Sequence, residues 1–301
     1  MAATARLDLP PAGEPAARID RLRRQLRALE AATGLAGDCG APLALGNPVI
    51  DGALGGGLSA GALHEVAAAR EAETAAASGF ALALAARRAS LRGAPSISGL
   101  PAIGSDARAR NDESAASVLT PGRNVLWIAE DLSLAENGAP YGPGLDEIGV
   151  APERLITVAA RERDVLWAME EALRCRAVGM VIGEKRSRGI DQVATRRLAL
   201  AAAAGNALGL ILRTAPDDGP SAAATRWIVG AAPFPRSGEG DEERHGVGPP
   251  RLAARLVRNR RGHLGAWIVE WNSVEQRFEL ATHSEPVAGS AFDRPHRTAV
   301  A

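Results

Sequence analysis

Residues 67–78 lie where a phosphate-binding loop is expected, between a predicted strand (residues 62–66) and a predicted apolar helix that begins near Ser78. Such a loop has the pattern G-x-x-x-x-G-K-[ST], in which glycines let backbone N–H groups surround the phosphates and a lysine contacts the β and γ oxygens. The segment reads AAAREAETAAAS and contains neither glycine nor lysine. The glycines before the strand, in GGGLSAG, are interpreted as the turn that leads into it. The sequence therefore predicts the strand and the helix that flank a nucleotide site, but not the glycines and the lysine that bind phosphate.

The polar residues of this segment are the first candidates for a degenerate nucleotide site: Arg70, Glu71, Glu73 and Thr74. Thr74 could supply a hydroxyl group, but the planar guanidinium of Arg70 does not replace a compact ammonium. The carboxylates of Glu71 and Glu73 would repel a triphosphate. We therefore expect no ATP hydrolysis and no enzymatic activity of this type.

Carboxylates also follow two other predicted strands. Glu130 follows residues 124–129 (NVLWIA), where it either caps the end of the strand or corresponds to a water-activating base. The strand over residues 177–182 (AVGMVI) should end in an aspartate that holds Mg²⁺, but it is followed by Gly183 and Glu184. Glu184, displaced by one position, is interpreted as the charged edge of a loop rather than as a metal ligand.

The balance of positive and negative charges limits the kinds of ligand that the protein surface can bind. The chain has 301 residues with 35 Lys and Arg against 35 Asp and Glu, so its formal net charge is zero. This argues against binding of nucleic acid by the whole surface but permits a local basic patch. Lys185 is the only lysine, so any mechanism that needs a lysine must use it.

Basic residues in three segments are the candidates for DNA or partner contacts, with solvated faces as the simpler interpretation. The first segment is a predicted amphipathic helix over residues 14–32, the second follows the strand at residue 182, and the third surrounds a predicted hairpin turn at residues 259–265. These candidates are Arg21, Arg24, Arg27, Lys185, Arg186, Arg188, Arg255, Arg258, Arg260 and Arg261.

Cysteine and histidine give no sign of a cofactor. Cys39 and Cys175 are isolated and the histidines are scattered, so we expect neither a metal site nor a bound cofactor. Isolated cysteines and a start without an apolar signal core (MAATARLDLP) indicate a cytoplasmic protein. No apolar run reaches the roughly 20 residues that a membrane span requires.

The order of predicted elements gives the fold class. Short apolar runs alternate with helices up to residue 212, which indicates an α/β fold with a mostly parallel sheet flanked by helices. Residues 224–229, 251–257 and 266–271 are predicted to be successive antiparallel strands on the C-terminal side. We expect an N-terminal helix and linker over residues 1–42, a core over residues 43–280 with a disordered insertion at 93–123, and a disordered tail over 281–301. The N-terminal helix and the tail are expected to lie outside the compact core.

This layout resembles the RecA-like order of strands and helices. The segment LALGNPVIDGALGGGLSAGALHEV is similar to the part of RecA that leads into its first core strand. The resemblance is closer to the RecA-like ImuA family of bacterial mutagenesis cassettes and covers roughly residues 43–280. It rests on four segments in order: GALGGGLSAGALHEV, VLWIAEDLSLAENGAPYGPGLDEIGVAPERLI, ATRWIV and LVRNRRGHLGAWIVEW.

The resemblance implies a role in damage-induced translesion synthesis and mutagenesis (the SOS response). It implies contacts with an ImuB-like Y-family homologue, with RecA, and with an error-prone C-family polymerase through the ImuB-like protein. It also aligns residues 184–189 and 214–223 with the DNA-facing loops of RecA, of which the second is acidic and a poor DNA contact. The leading hypothesis is a non-catalytic adaptor. The alternatives are a cell-division inhibitor of the SulA type, a regulator of RecA filaments, and an active RecA/KaiC-type ATPase.

Overall fold

The computed structural model describes residues 41–91, 124–175, 177–186, 190–233 and 250–281. The predicted N-terminal helix, the predicted insertion at 93–123 and all but the first residue of the predicted tail lie outside the described residues, as do Arg21, Arg24, Arg27 and Arg188. Among the described residues, no helix combines the length and apolar composition needed to cross a bilayer.

One sheet contains all the strands of the described part of the chain. They are β1 (Leu63–Ala68), β2 (Asn124–Glu130), β3 (Leu155–Ala160), β4 (Val178–Lys185), β5 (Leu208–Arg213), β6 (Thr225–Ala231), β7 (Arg251–Asn259), β8 (Gly265–Asn272) and β9 (Arg277–Leu280). Their order across the sheet is β3-β2-β4-β5-β1-β6-β7-β8-β9. The first six in this order are parallel, and β7, β8 and β9 add antiparallel strands at one side. The predicted α/β class is confirmed, with a mostly parallel sheet, flanking helices and antiparallel strands on the C-terminal side.

Helices cover both faces of the parallel strands. They are α1 (Pro48–Leu54), α2 (Thr74–Leu91), α3 (Asp131–Asn137), α4 (Gly142–Ile148), α5 (Val165–Arg174) and α6 (Gln192–Gly205). Helices α1, α2 and α4 contribute to a core that includes Met180 and Ile182 of β4, and we call this side the α2 face. Helices α5 and α6 pack on Val181 of the same strand, and we call that side the α5 face. Alternate residues of each strand therefore point to chemically different surroundings.

The glycine-rich segment forms the turn between α1 and β1, as predicted. Helix α1 begins after Asn47, whose side chain accepts hydrogen bonds from the backbone N–H groups of Val49 and Ile50. It ends at Leu54 and is capped by Gly55, and Gly55, Gly56 and Gly57 all have positive φ angles. A Cβ atom at Gly57 would lie 2.4 Å from the carbonyl oxygen of Leu43. These glycines are therefore explained by backbone geometry and need no nucleotide.

Two strand predictions need correction. Strand β4 continues to Lys185 rather than ending at residue 182, because Glu184 and Lys185 pair with Leu212 and Arg213 of β5 and are both buried. Strand β6 pairs in parallel with β1, so only its pairing with β7 is antiparallel. Strand β9 was not predicted, although it places Phe278 in the core.

Candidate functional site

A short turn replaces the phosphate-binding loop between β1 and α2. Residues 71–73 form a single 3₁₀ turn, and α2 begins at Thr74 rather than near Ser78. Local bonds occupy the polar groups here: Arg70 Nη2 donates to Glu73 Oε1 (2.5 Å) and Thr74 Oγ1 donates to the Glu71 carbonyl (2.7 Å). Glu73 packs over β6, where a Cβ atom at Gly230 would lie 2.7 Å from Glu73 Oε2. The turn is therefore held by the protein's own side chains.

A cavity of about 330 Å³ lies beside this turn, at the carboxyl ends of the parallel strands. Its lining comes from the start of α2, from β2, from the ends of β4 and β5, and from the loop after α3. The lining residues are Glu71, Thr74, Ala75, Ser78, Leu82, Trp127, Asn137, Gly138, Ala139, Pro140, Glu184, Arg186 and Thr214. Of the residues predicted for a degenerate nucleotide site, Glu71, Thr74 and Glu184 line this cavity.

Glu184 is a buried wall of the cavity and not a loop edge, which corrects the sequence-based interpretation. It is only 8% exposed because β4 continues past it. Ser133 Oγ donates to its Oε1 atom (2.5 Å) and Trp127 Nε1 donates to its Oε2 atom (3.2 Å). Trp127 and Ser133 were not among the predicted site residues, because their proximity to Glu184 depends on the register of β2 against β4. One sequence feature could have separated these residues. Side chains alternate between the two faces of a strand, which places Trp127 and Glu130 of β2 on opposite faces of the sheet.

Glu130 lies on the α5 face, away from the cavity. Lys185 Nζ donates to Glu130 Oε1 (3.2 Å) and to Glu162 Oε1 (3.2 Å). The side chains of Lys185 and Glu130 are each 9% exposed, so the only lysine of the chain is enclosed by the protein. Glu130 and Glu184 therefore do not converge on one site, although both follow the apolar parts of neighbouring strands. Gly183 also faces away from the cavity, where a Cβ atom would lie 2.6 Å from Met169 Sδ of α5.

Arg186 links the two faces at the end of β4. Its backbone N–H donates to Glu130 Oε1 (3.2 Å), whereas its guanidinium donates to Glu136 and lies 3.9 Å from Glu71 Oε1. The hydrogen bond to Glu136 raises the pKa of Arg186 above its ordinary value. Arg186, unlike Lys185, lines the cavity. Among the described residues it is the only cationic side chain in the cavity lining.

Acidic side chains dominate this edge of the sheet. Those near the cavity and the Lys185 pair are Glu71, Glu73, Glu130, Asp131, Glu136, Glu162 and Glu184. Of the cations at this edge, Arg70, Lys185 and Arg186 are each bound to one or more of these carboxylates, and Arg213, opposite Lys185 on β5, is bound to Asp217. A bound triphosphate would meet net negative charge here and would lack an uncommitted lysine.

Similarity to known proteins identifies the family of this chain. Over 239 residues, the sequence is 33% identical to Protein ImuA of Caulobacter vibrioides strain NA1000 / CB15N, and the alignment covers 76% of this chain and 82% of that protein. Protein ImuA of C. vibrioides strain ATCC 19089 / CIP 103742 / CB 15 has the same identity and coverage. The chain belongs to the ImuA family. No protein-family model matches the sequence.

In this ImuA-family chain, the acidic loop after β5 is anchored by a buried ion pair. Arg226 Nε donates to Glu65 Oε2 (2.6 Å), and its two terminal nitrogens donate to the carbonyl oxygens of Asp217 (2.6 Å) and Gly219 (2.9 Å). Ser221 Oγ donates to the other oxygen of Glu65 (2.5 Å). A hydrogen bond from the Gly219 backbone, opposed in part by burial and aided by Arg213, lowers the pKa of Asp217. This loop was aligned with a DNA-facing loop of RecA, and here its conformation is fixed by β1 and β6.

The arginines of the hairpin lie on and beside β7. Arg255, Arg260 and Arg261 are exposed, and Arg260 Nη2 donates to the Ser221 carbonyl (3.3 Å). Arg258 is half-buried, and its burial, with the positive charges of Arg260 and Arg226, lowers its pKa. The structure thus brings Arg258 and Arg260 together next to the anchored loop of the ImuA-family chain, whereas Arg186 lines the cavity and Lys185 lies on the α5 face.

Proposed function

We propose that this chain is a non-catalytic RecA-like adaptor in damage-induced translesion DNA synthesis. Membership of the ImuA family supports a role in damage-induced mutagenesis. The adaptor acts through protein contacts with an ImuB-like Y-family homologue and with RecA, and an error-prone C-family polymerase is reached through the ImuB-like protein. These partners come from the family resemblance.

The position of Lys185 carries the non-catalytic part of this proposal. Phosphoryl transfer in RecA-like ATPases needs a lysine at the start of the helix after the first core strand. The only lysine of this chain instead lies at the end of β4 on the α5 face, where it binds Glu130 and Glu162. Helix α2, which would present the lysine, lies on the opposite face of the sheet. Lys185 would have to leave a buried ion pair and cross the sheet to contact a phosphate in the cavity.

Nucleotide binding tests this part. Calorimetric titration of the full chain with ATP and Mg²⁺ is expected to give no saturable binding, and phosphate release is expected to stay at the level of a protein-free control. Micromolar ATP affinity together with Mg²⁺-dependent turnover that is lost in Glu184→Gln would overturn the non-catalytic proposal. Glu130→Gln is the matched variant on the other face, and its effect would identify which carboxylate takes part.

Co-purification tests the adaptor part. The tagged chain is co-expressed with the ImuB-like protein of the same cell, and a stable complex is expected after size-exclusion chromatography. A parallel measurement of RecA filament length on single-stranded DNA addresses the regulator alternative. Absence of the complex combined with shortened filaments would replace the adaptor by a filament regulator.

A further inference from the structure

The cavity contains a buried carboxylate that is satisfied by neutral donors alone. Glu184 accepts one hydrogen bond from the Ser133 hydroxyl and one from the Trp127 indole. Among the described residues no cation lies within ion-pair distance of it, and the charge of Arg186 acts on it only from further away. The arginine of the cavity, Arg186, pairs with Glu136 and Glu71 instead. Each oxygen of a carboxylate can accept more than one hydrogen bond, so Glu184 retains acceptor capacity.

A buried carboxylate of this kind favours a cationic ligand. Burial away from water is costly for an ionised group unless a counter-charge compensates it. Hydrogen bonds between a cation and a carboxylate are also about twice as strong as neutral ones. The same charge distribution opposes a phosphate or another anion. The ligand chemistry that the cavity selects is therefore opposite in sign to that of a nucleotide site.

The size and lining of the cavity indicate an arginine side chain rather than a metal ion. Within the described ranges, no group of three or more His, Cys, Asp and Glu side chains is placed to hold a metal ion. The cavity, at about 330 Å³, lies near the lower end of the range of small-molecule pockets. Hydroxyl acceptors at Ser78 and Thr214, together with the indole of Trp127, suit a planar group with several N–H donors.

We propose that this cavity binds an arginine side chain of a protein partner, with the guanidinium pairing with Glu184. The proposal rests on the proposed adaptor function and deepens it by naming a recognition element. Arg186 gives an internal example of the same chemistry, because its guanidinium already joins Glu71 and Glu136 at the mouth of the cavity. An arginine from another protein would occupy the deeper position next to Glu184.

The test uses N-acetyl-L-arginine amide as the probe and NMR of the full chain as the measurement. The indole N–H signal of Trp127, assigned by its loss in Trp127→Phe, reports on the hydrogen bond to Glu184. Capped arginine is expected to shift this signal in a saturable way, whereas capped citrulline, its neutral analogue, is not. Glu184→Gln is expected to weaken binding by about tenfold to a hundredfold, because a charge-assisted hydrogen bond is lost.

Two further variants separate a specific site from a general effect. Glu153→Gln changes an exposed glutamate outside the cavity lining and is expected to leave the affinity unchanged. Ser78→Leu adds apolar volume to the cavity wall while leaving Glu184 in the sequence, and is expected to abolish binding. Equal shifts with capped citrulline, full affinity in Glu184→Gln, or no saturable shift would overturn the proposal. Complex formation with the ImuB-like protein is measured separately, so its presence alongside a negative titration would refute the arginine site alone.

Discussion

Lys185 and Glu130 form a buried ion pair between the ends of adjacent strands β4 and β2, with 3.2 Å between Nζ and Oε1. The pair neutralises a carboxylate that would otherwise lie enclosed on the α5 face. It also keeps the only lysine of the chain away from the cavity on the α2 face. A lysine and a glutamate take part in phosphate chemistry in active RecA-like ATPases. In this chain the two residues pair with each other and stabilise the edge of the sheet.

Removing one partner of the Lys185–Glu130 pair is expected to destabilise the protein strongly, whereas replacing both partners is expected to cost little. Lys185→Met leaves Glu130 buried without its cation, and we expect the free energy of unfolding to fall by about 3 kcal/mol. The double variant Lys185→Met/Glu130→Gln removes both charges and should recover most of that loss. Urea unfolding followed by circular dichroism compares the parent with both single variants, Lys185→Met and Glu130→Gln, and with the double variant.

Glu162 provides the control for this prediction. Its side chain is 63% exposed, so its bond to Lys185 is screened by water, and Glu162→Gln is expected to cost less than about 1 kcal/mol. A double variant as unstable as the sum of its single changes would show that the two charges do not act as a pair.

The ion pair between Arg226 and Glu65 is expected to hold the loop at residues 214–223. Arg226→Met removes two bonds to loop carbonyls and leaves Glu65, which is 1% exposed, without its cation. We expect faster hydrogen exchange in this loop and a loss of stability of about 3 kcal/mol. Exchange measured by mass spectrometry checks the first effect. Arg255→Met, at an exposed position of β7, should leave exchange in the loop unchanged.

The sequence predicted most of the fold because the parallel strands are buried on both faces. Continuous apolar runs such as NVLWIA and LGLIL mark such strands without any knowledge of their neighbours. The pairing direction of β6 could not be predicted in the same way, because the apolar run at residues 225–231 is compatible with a parallel or an antiparallel neighbour. Strand β9 was missed because RFEL is short and partly charged, and its place depends on pairing with β8.

The candidate site was less predictable than the fold. The absence of glycine and lysine from residues 67–78 can be recognised from the sequence, because it does not depend on any tertiary contact. Sequence alone did not separate Glu130 from Glu184, because the face on which each side chain lies depends on how far its strand continues. The apolar run of β4 ends at Ile182, and only pairing with β5 extends the strand through Glu184 and Lys185.

Gly205 is expected to be essential for the packing of α6 against α5. A Cβ atom at this position would lie 2.0 Å from the carbonyl oxygen of Leu173, which is backbone and cannot move aside cheaply. Gly205→Ala should therefore destabilise the protein by about 2 kcal/mol or more, as overpacking of a core does. Thermal unfolding compares it with Gly79→Ala in α2, where a Cβ atom would have no neighbour within 4 Å. Gly79→Ala should stabilise by up to about 1 kcal/mol through helix propensity. Similar melting temperatures for the two variants would contradict the close approach.

The buried imidazole of His64 is expected to make stability depend on pH. Nε2 donates to the Ser59 carbonyl (3.0 Å), and in the neutral ring Nδ1 then accepts from the Thr225 hydroxyl (2.8 Å). Burial, opposed by the bond to Ser59 and aided by the positive charge of Arg261, lowers the pKa of His64 from 6.5 to about 4. The unfolded chain therefore binds a proton between these values that the folded chain does not. The stability from this group is complete above the unfolded pKa and is lost as pH falls toward the folded one.

The expected loss between pH 7 and pH 5 is about 2 kcal/mol, from a pKa difference of this size. Urea unfolding at a series of pH values measures it, and the range stays above pH 5 so that carboxyl groups contribute little. His64→Gln keeps a side chain with a donor and an acceptor but has no ionisation in this range. The variant should therefore be less stable than the parent at pH 7 but show a smaller decrease toward pH 5. Parallel stability curves for parent and variant would show that His64 is not the group responsible.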